Sequence, residues 1–251
     1  MTFLPLGAAA GENVSRTSTG GVLGSWYSGP TLLAVLDSLD PPTREVDAPL
    51  RMPLTNVFRG QTAISSGLVA AGRVVSGLVA IGDRLLVVPG DETAMIRAIE
   101  QDGEGVPWAV AGSSVTVYLA GIDEIHLAVG SLLCPPNQPV PLSRNLPVQL
   151  LVFDPTYPIL TGSVASLHHH SLDVPCTVTD LVATIDKGGT NARNGAKKRK
   201  PRVLGKGATA MVRITVQSPG LPVEVARKDL ARVLLRMHGE TVAAGMVVEC
   251  N

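Results

Sequence analysis

Residues 197–250, KKRKPRVLGKGATAMVRITVQSPGLPVEVARKDLARVLLRMHGETVAAGMVVEC, decide how the rest of the chain is read. A basic loop without acidic residues opens the stretch. A run follows in which Ala210, Val212, Ile214 and Val216 alternate with other residues, so that one face of a β-strand carries all four. Pro219-Gly220 marks a turn. Two further strand-like runs, Arg232–Met237 and Thr241–Glu249, are joined by His238-Gly239-Glu240. Three strands with one apolar face cannot bury that face alone. Upstream strands must close a barrel or sandwich with them.

Composition agrees. The chain of 251 residues is 45% hydrophobic and 17% charged, with 26 Gly, 19 Pro and only 3% aromatic residues. Val-rich runs cut by glycine and proline point to many short strands and turns. No apolar run reaches the roughly eighteen residues that a membrane helix requires. Small residues near the start are not preceded by a basic segment, so a signal peptide is not expected. Cys134, Cys176 and Cys250 are odd in number and lack CxxC spacing, which predicts reduced thiols in a cytoplasmic setting.

Net charge is zero but unevenly spread. Residues 46–140 hold five basic and nine acidic side chains, whereas residues 143–251 hold fourteen basic and eight acidic. The second half is therefore the better candidate for an anionic partner. Within it, Lys187–Lys206 contains eight Lys or Arg and no acid. A solvated loop is the plain reading of such a run. A nuclear-import signal in KKRKP and contact with RNA or an acidic protein face are the alternatives. No aromatic residue is interleaved, which argues against stacking on single-stranded bases.

In chain order, Phe3–Leu6 is a short apolar run expected to form a strand. Leu32, Leu33, Leu36 and Leu39 fall at helical spacing, with Pro30 suited to the first turn and Asp40-Pro41-Pro42 as the stop. From residue 43 the pattern becomes β. Strands are expected at Arg51–Phe58, Ala63–Ala71, Arg73–Val75, Asp83–Val88, Thr93–Glu100, Ser114–Ala120 and Ser131–Cys134, with glycines at turn-like intervals. The proline-rich run Pro135–Pro141 cannot join a central ladder and reads as a spacer. Strands resume at Asn145–Phe153, Ser163–His170 and Cys176–Asp186.

Three sets of residues carry a family resemblance. The run GLVAAGRVVSGLVAIGDRLLVVPG at 67–90 is similar to the second-domain signature of translational GTPases of the elongation-factor Tu and one-alpha superfamily. The pattern from Lys206 through GETVAAGMV at 239–247 resembles their third domain. FLPLGAAAGENV at 3–14 and WYSGPTLL at 26–33 resemble the end of the GTPase domain and its junction with the second domain. PPTREVDAPLRMP at 41–53, DGEGVPW at 102–108 and GETVAAGMV are most similar to the ribosome-rescue branch, whose GTPase partners Pelota, also called Dom34.

The resemblance implies an all-β chain of two consecutive antiparallel barrels, preceded by a strand-and-helix remnant of a GTPase domain. It divides the chain at 1–42, 43–138 and 139–251. It implies a monomeric platform for a Pelota-like, tRNA-shaped partner and for the ribosome. Matching positions place partner or ribosome contacts at Lys197, Lys198, Arg199, Lys200, Lys206, Arg232, Arg236 and His238. The family's G-R-F-x-L-R stands here as Ala231-Arg232-Val233-Leu234-Leu235-Arg236, without its glycine and aromatic. The release-factor-three or elongation-factor-one-alpha types, the GTPase subunit of sulfate adenylyltransferase, and a free-standing interaction module remain alternatives.

Catalytic signals do not accompany the fold. Family members use GTP and Mg²⁺, but Gly205-Lys206 is followed by Gly207 rather than Ser or Thr, and no N-K-x-D motif occurs. Asp186-Lys187-Gly188-Gly189 matches D-x-x-G at the wrong end of the chain. No nucleotide, metal or catalytic residue is therefore expected on this chain. His168, His169 and His170 alternate across a strand, leaving two on one face and no carboxylate or thiol of obvious partnership. The expected role is a strand end with one partly buried histidine.

Overall fold

A computed structural model describes residues 3–17, 21–62, 65–185, 200–217 and 219–249. The described chain forms two compact units, Met1–Thr43 and Arg44–Asn251.

In the first unit, α1 (Leu32–Asp37) is capped by Thr31, whose side chain accepts the Ala34 N–H. Pro30 thus precedes the cap rather than occupying the first turn. None of the helix residues is buried, and Leu33, Leu36 and Leu39 are exposed. The expected strand at Phe3–Leu6 does not form: no strand among the described residues ladders with it, and the Pro5 carbonyl accepts instead from the Asn13 Nδ2 at 3.0 Å. An isolated Gly7–Glu12 bridge closes the turn that follows.

The second unit is all-β. Its first barrel contains β1 (Met52–Thr62), β2 (Ser65–Arg73), β3 (Arg84–Val88), β4 (Thr93–Gln101), β5 (Ser114–Ala120) and β6 (Leu132–Cys134). The ring runs β3-β6-β1-β2-β5-β4 and closes through Arg84↔Met95 and Leu85↔Ala94. Every pairing is antiparallel. Alternation explains the inward face: Val115, Val117 and Leu119 of β5 are buried with Met52, Leu54, Ile96 and Ile99. Closure leaves no open edge in the ring. Three short strands escape the sequence pattern: Leu78–Ala80 pairs with Trp108–Val110, and Glu104–Val106 pairs antiparallel with the end of β4. Three residues are too few to show a period of two. The expected separate strand at Arg73–Val75 is corrected: Arg73 ends β2, and Val74-Val75 turns away.

The second barrel contains β7 (Asn145–Val152), β8 (Val164–His169), β9 (Leu172–Thr184), β10 (Thr209–Val216), β11 (Arg232–Met237) and β12 (Glu240–Val247). It closes in the order β7-β10-β9-β8-β11-β12. Ala210, Val212, Ile214 and Val216 all point inward, at 0–3% exposure. Three of them oppose inward residues of β7: Leu146↔Ile214, Val148↔Val212 and Leu150↔Ala210. These cross-strand pairs fix register, because a one-residue slip would turn the whole apolar set outward.

The segment between β10 and β11 joins the barrels. It includes the single-turn helix α2 (Lys228–Ala231), whose Leu230 is fully buried against Val88, Leu132, Cys134 and Val140. Burying a leucine of this kind contributes about 2 kcal/mol. Glu224 accepts from the Arg51 Nε at 2.7 Å and from the Arg227 Nε at 3.2 Å, and Arg227 also reaches Glu45 at 2.6 Å. At another point the backbones nearly touch. Gly130 has φ +88°, and a methyl on it would stand 2.8 Å from the Leu172 Cα. Only glycine meets both demands.

Candidate partner interface

Closure of the second barrel gathers several distant residues at one of its ends. The β11–β12 hairpin places His238 at φ 50°, in the left-handed region. Its ring meets Tyr157 edge-on, with centroids 5.5 Å apart. Tyr157 is 61% exposed, so this ring pair stands in solvent. Arg236 donates from Nη2 to the Gly239 carbonyl at 2.7 Å, which braces the hairpin. Thr156, beside Tyr157, donates to the Glu240 carboxylate at 3.0 Å. Lys206 pairs with Asp154 of the same 153–158 loop. A shallow depression of about 200 Å³ lies among Thr156, Tyr157, Met237, His238, Glu240 and Val242.

Three of the sequence-predicted residues therefore converge: Lys206, Arg236 and His238. Tyr157 and Glu240 join them and were not foreseen. A signal for Tyr157 existed, since an aromatic in a proline-containing loop stands out in a chain with three tyrosines.

The other predicted positions lie elsewhere. Lys200 pairs at 2.6 Å with Asp180 on the outer wall of β9, and the Lys200 hydrogen bond holds the Asp180 carboxyl below its usual range. Lys197, Lys198 and Arg199 lie outside the described residues, as does Asp186-Lys187-Gly188-Gly189. Arg232, four residues before Arg236 on the outward face of β11, faces the groove between the barrels and approaches Asp229 at 3.7 Å. The arrangement offers an amphipathic contact surface of ring edges, cations and one carboxylate. Among the described residues no cluster of three or more His, Cys, Asp or Glu could hold a metal.

The histidine run departs from strict alternation. His168 and His170 line the groove between the barrels, but His170 has φ 52°, beyond the end of β8, and its ring stands edge-on to that of His169 with centroids 4.6 Å apart. His169 is more buried than expected, at 3% exposure. It donates from Nε2 to the Leu230 carbonyl at 3.0 Å, which sets its tautomer and holds α2 in place. Burial pulls its pKa down to about 4, with His170 adding to the effect. Burial also lowers His170, partly offset by Asp229. These histidines are structural parts of the junction. The Cys134 and Cys176 thiols are buried, which raises both, Cys176 to about 11, and suits neither to nucleophilic work.

Comparison with known proteins agrees with the architecture. Residues 145–248 match the GTP-eEF1A C-terminal domain-like family. The chain is 33% identical to Protein HBS1 of Drosophila melanogaster over 99% of its own length and 36% of that protein. It is 34% identical to elongation factor 1-alpha of Pyrobaculum aerophilum over 98% of its length and 54% of that factor. The crystal structure of sup35 complexed with GDP superposes with a TM-score of 0.75 at 26% identity, covering 98% of this chain and 58% of that one. Translation elongation factor SelB from Methanococcus maripaludis shares the fold, with a TM-score of 0.65 at 19% identity over 88% of this chain and 46% of SelB. The chain thus spans between about a third and just over half of these relatives. No described helix is long and apolar enough to cross a membrane. On this fold and these similarities, residues 145–248 match the GTP-eEF1A C-terminal domain-like family, and the chain as a whole resembles part of the translational GTPases of the elongation-factor type.

Proposed function

We propose that this chain is the docking platform of a ribosome-rescue GTPase, holding a tRNA-shaped, Pelota-like protein and presenting it to the ribosome. In this reading 1–42 is the end of a GTPase domain with its linker helix, 43–138 the first barrel domain and 139–251 the second. The observation that carries it is the convergence of Lys206, Arg236 and His238 with the exposed Tyr157 on one end of a barrel similar to that of HBS1. Aromatic and arginine side chains standing out from a rigid scaffold are the residue types that anchor protein partners. Lys197–Lys200 adds a cationic stretch of sequence suited to phosphate contact, with strong salt dependence and little sequence preference.

Size-exclusion chromatography with a purified Pelota-like protein, against the termination factor that reads stop codons, tests the reading. A stoichiometric complex with the first alone supports it. Complex formation with the second alone would move the chain to a release-factor-three type. A four-residue charge removal at Lys197–Lys200 that leaves ribosome association unchanged would count against the ribosome contact.

The second reading, tRNA delivery, is favoured by the 34% identity to elongation factor 1-alpha. It predicts retention of aminoacyl-tRNA in place of the protein partner.

A further inference from the structure

A groove of about 1030 Å³ runs between the two barrels, away from the His238 end. Arg73 at the end of β2 lines it from one side, and Arg232 and Leu234 of β11 with Met246 of β12 line it from the other. We propose that this groove docks an extended acidic–aliphatic peptide segment of a partner protein.

The charge of the lining comes first. Two arginines face one carboxylate, Asp229, among the described residues. Arg73 has no ion-pair partner among the described residues, and Arg232 lies 3.7 Å from Asp229, too far for a tight pair. Both guanidiniums are therefore placed to take further carboxylates, in the planar two-bond geometry that arginine favours. His170 adds a ring to the same lining.

The apolar lining narrows the class of ligand. Leu234 is 44% exposed and Met246 38% exposed, and both stand on the outer face of a barrel beside these arginines. Aliphatic side chains next to arginines suit a peptide in which acidic and aliphatic residues alternate. A nucleic acid would call for aromatic platforms, and no Phe, Tyr or Trp lines the groove. The volume of about 1030 Å³ exceeds what a small metabolite fills.

The groove is also preformed. The Arg51–Glu224–Arg227–Glu45 network and the buried Leu230 hold its two walls together, so binding need not order them.

Fluorescence anisotropy of a labelled peptide of alternating Glu and Leu, titrated with the purified chain, tests the proposal. The expected result is saturable, salt-sensitive binding that falls about tenfold or more in Arg73→Glu/Arg232→Glu, roughly the loss of one good charge contact. The same double variant should instead bind a peptide of alternating Lys and Leu. Both arginines are exposed, so circular dichroism should show an unchanged fold. Absence of saturable binding, equal binding by wild type and variant, or preference for an oligonucleotide lost in the same variant would overturn the proposal.

Discussion

The Arg51 guanidinium of the first barrel donates to the Glu224 carboxylate beside the second barrel at 2.7 Å, and Arg51 is 4% exposed. A charge removed from water to this degree depends on its partner. Replacing Glu224 with alanine leaves Arg51 buried and uncompensated, which costs about 3–5 kcal/mol. Glu224→Gln keeps an acceptor for Nε and should cost less. Chemical denaturation of the two variants checks the order.

His169 makes stability pH-dependent. Its pKa lies near 4 in the folded protein, against an ordinary value of 6.5. The unfolded chain therefore binds more protons between these values, and stability rises with pH across that window. The contribution is fully present above pH 6.5, declines as pH falls, and is gone near pH 4, a change of about 3 kcal/mol. The groups around it are the His170 ring, at 4.6 Å, and Asp229, which faces His170. His169→Gln, which retains a donor for the Leu230 carbonyl, should flatten this part of the profile. A profile unchanged in the variant would refute the assignment.

Gly130→Ala tests the close approach of the barrels. The new methyl meets the Leu172 backbone, and φ is +88°. Neither can relax without separating the barrels, so a loss of about 2 kcal/mol is expected. Gly105→Ala provides the control: open space surrounds that position and its φ lies outside the left-handed region. Its melting temperature should stay within experimental error of wild type.

These sites differ in how far the sequence reveals them. Alternation in Ala210–Val216 and Ser114–Ala120 announces both barrels, because a period of two is local and each strand carries its own copy. The Arg51–Glu224 pair is not legible: the partners are 173 residues apart, and nothing in either local pattern names the other. The same holds for the candidate interface. Lys206 and His238 could be marked by position in a family pattern, but their convergence with Tyr157 depends on barrel closure. Arg73 reads as an ordinary strand-end residue until β11 is seen across the groove. The leucine spacing of α1 predicts the helix correctly, yet says nothing about what covers Leu33 and Leu36.

Nucleotide binding offers a check on the chemistry. The described β-barrels present no phosphate-cradling loop, since Gly205-Lys206-Gly207 is a turn ahead of β10 and Lys206 is engaged by Asp154. Differential scanning fluorimetry with GTP and Mg²⁺ should leave the melting temperature of this chain unchanged. A saturable, magnesium-dependent rise would show a nucleotide site that the barrels do not account for.

Arg236 separates docking from folding. Its side chain is on the outward face of β11 and donates to the hairpin carbonyl of Gly239. Arg236→Glu loses that exposed hydrogen bond, which should cost under about 1 kcal/mol of stability. In partner binding the reversal acts more strongly, because a carboxylate replaces a cation beside Glu240 and the ring pair of Tyr157 and His238. A weakening of about 2 kcal/mol, near thirtyfold in Kd, is expected for a protein docked there. Tyr157→Ala should show the same split between stability and affinity. Isothermal titration calorimetry with a Pelota-like protein measures the affinity and chemical denaturation the stability, and unchanged affinity in the two variants would remove this end of the barrel from the interface.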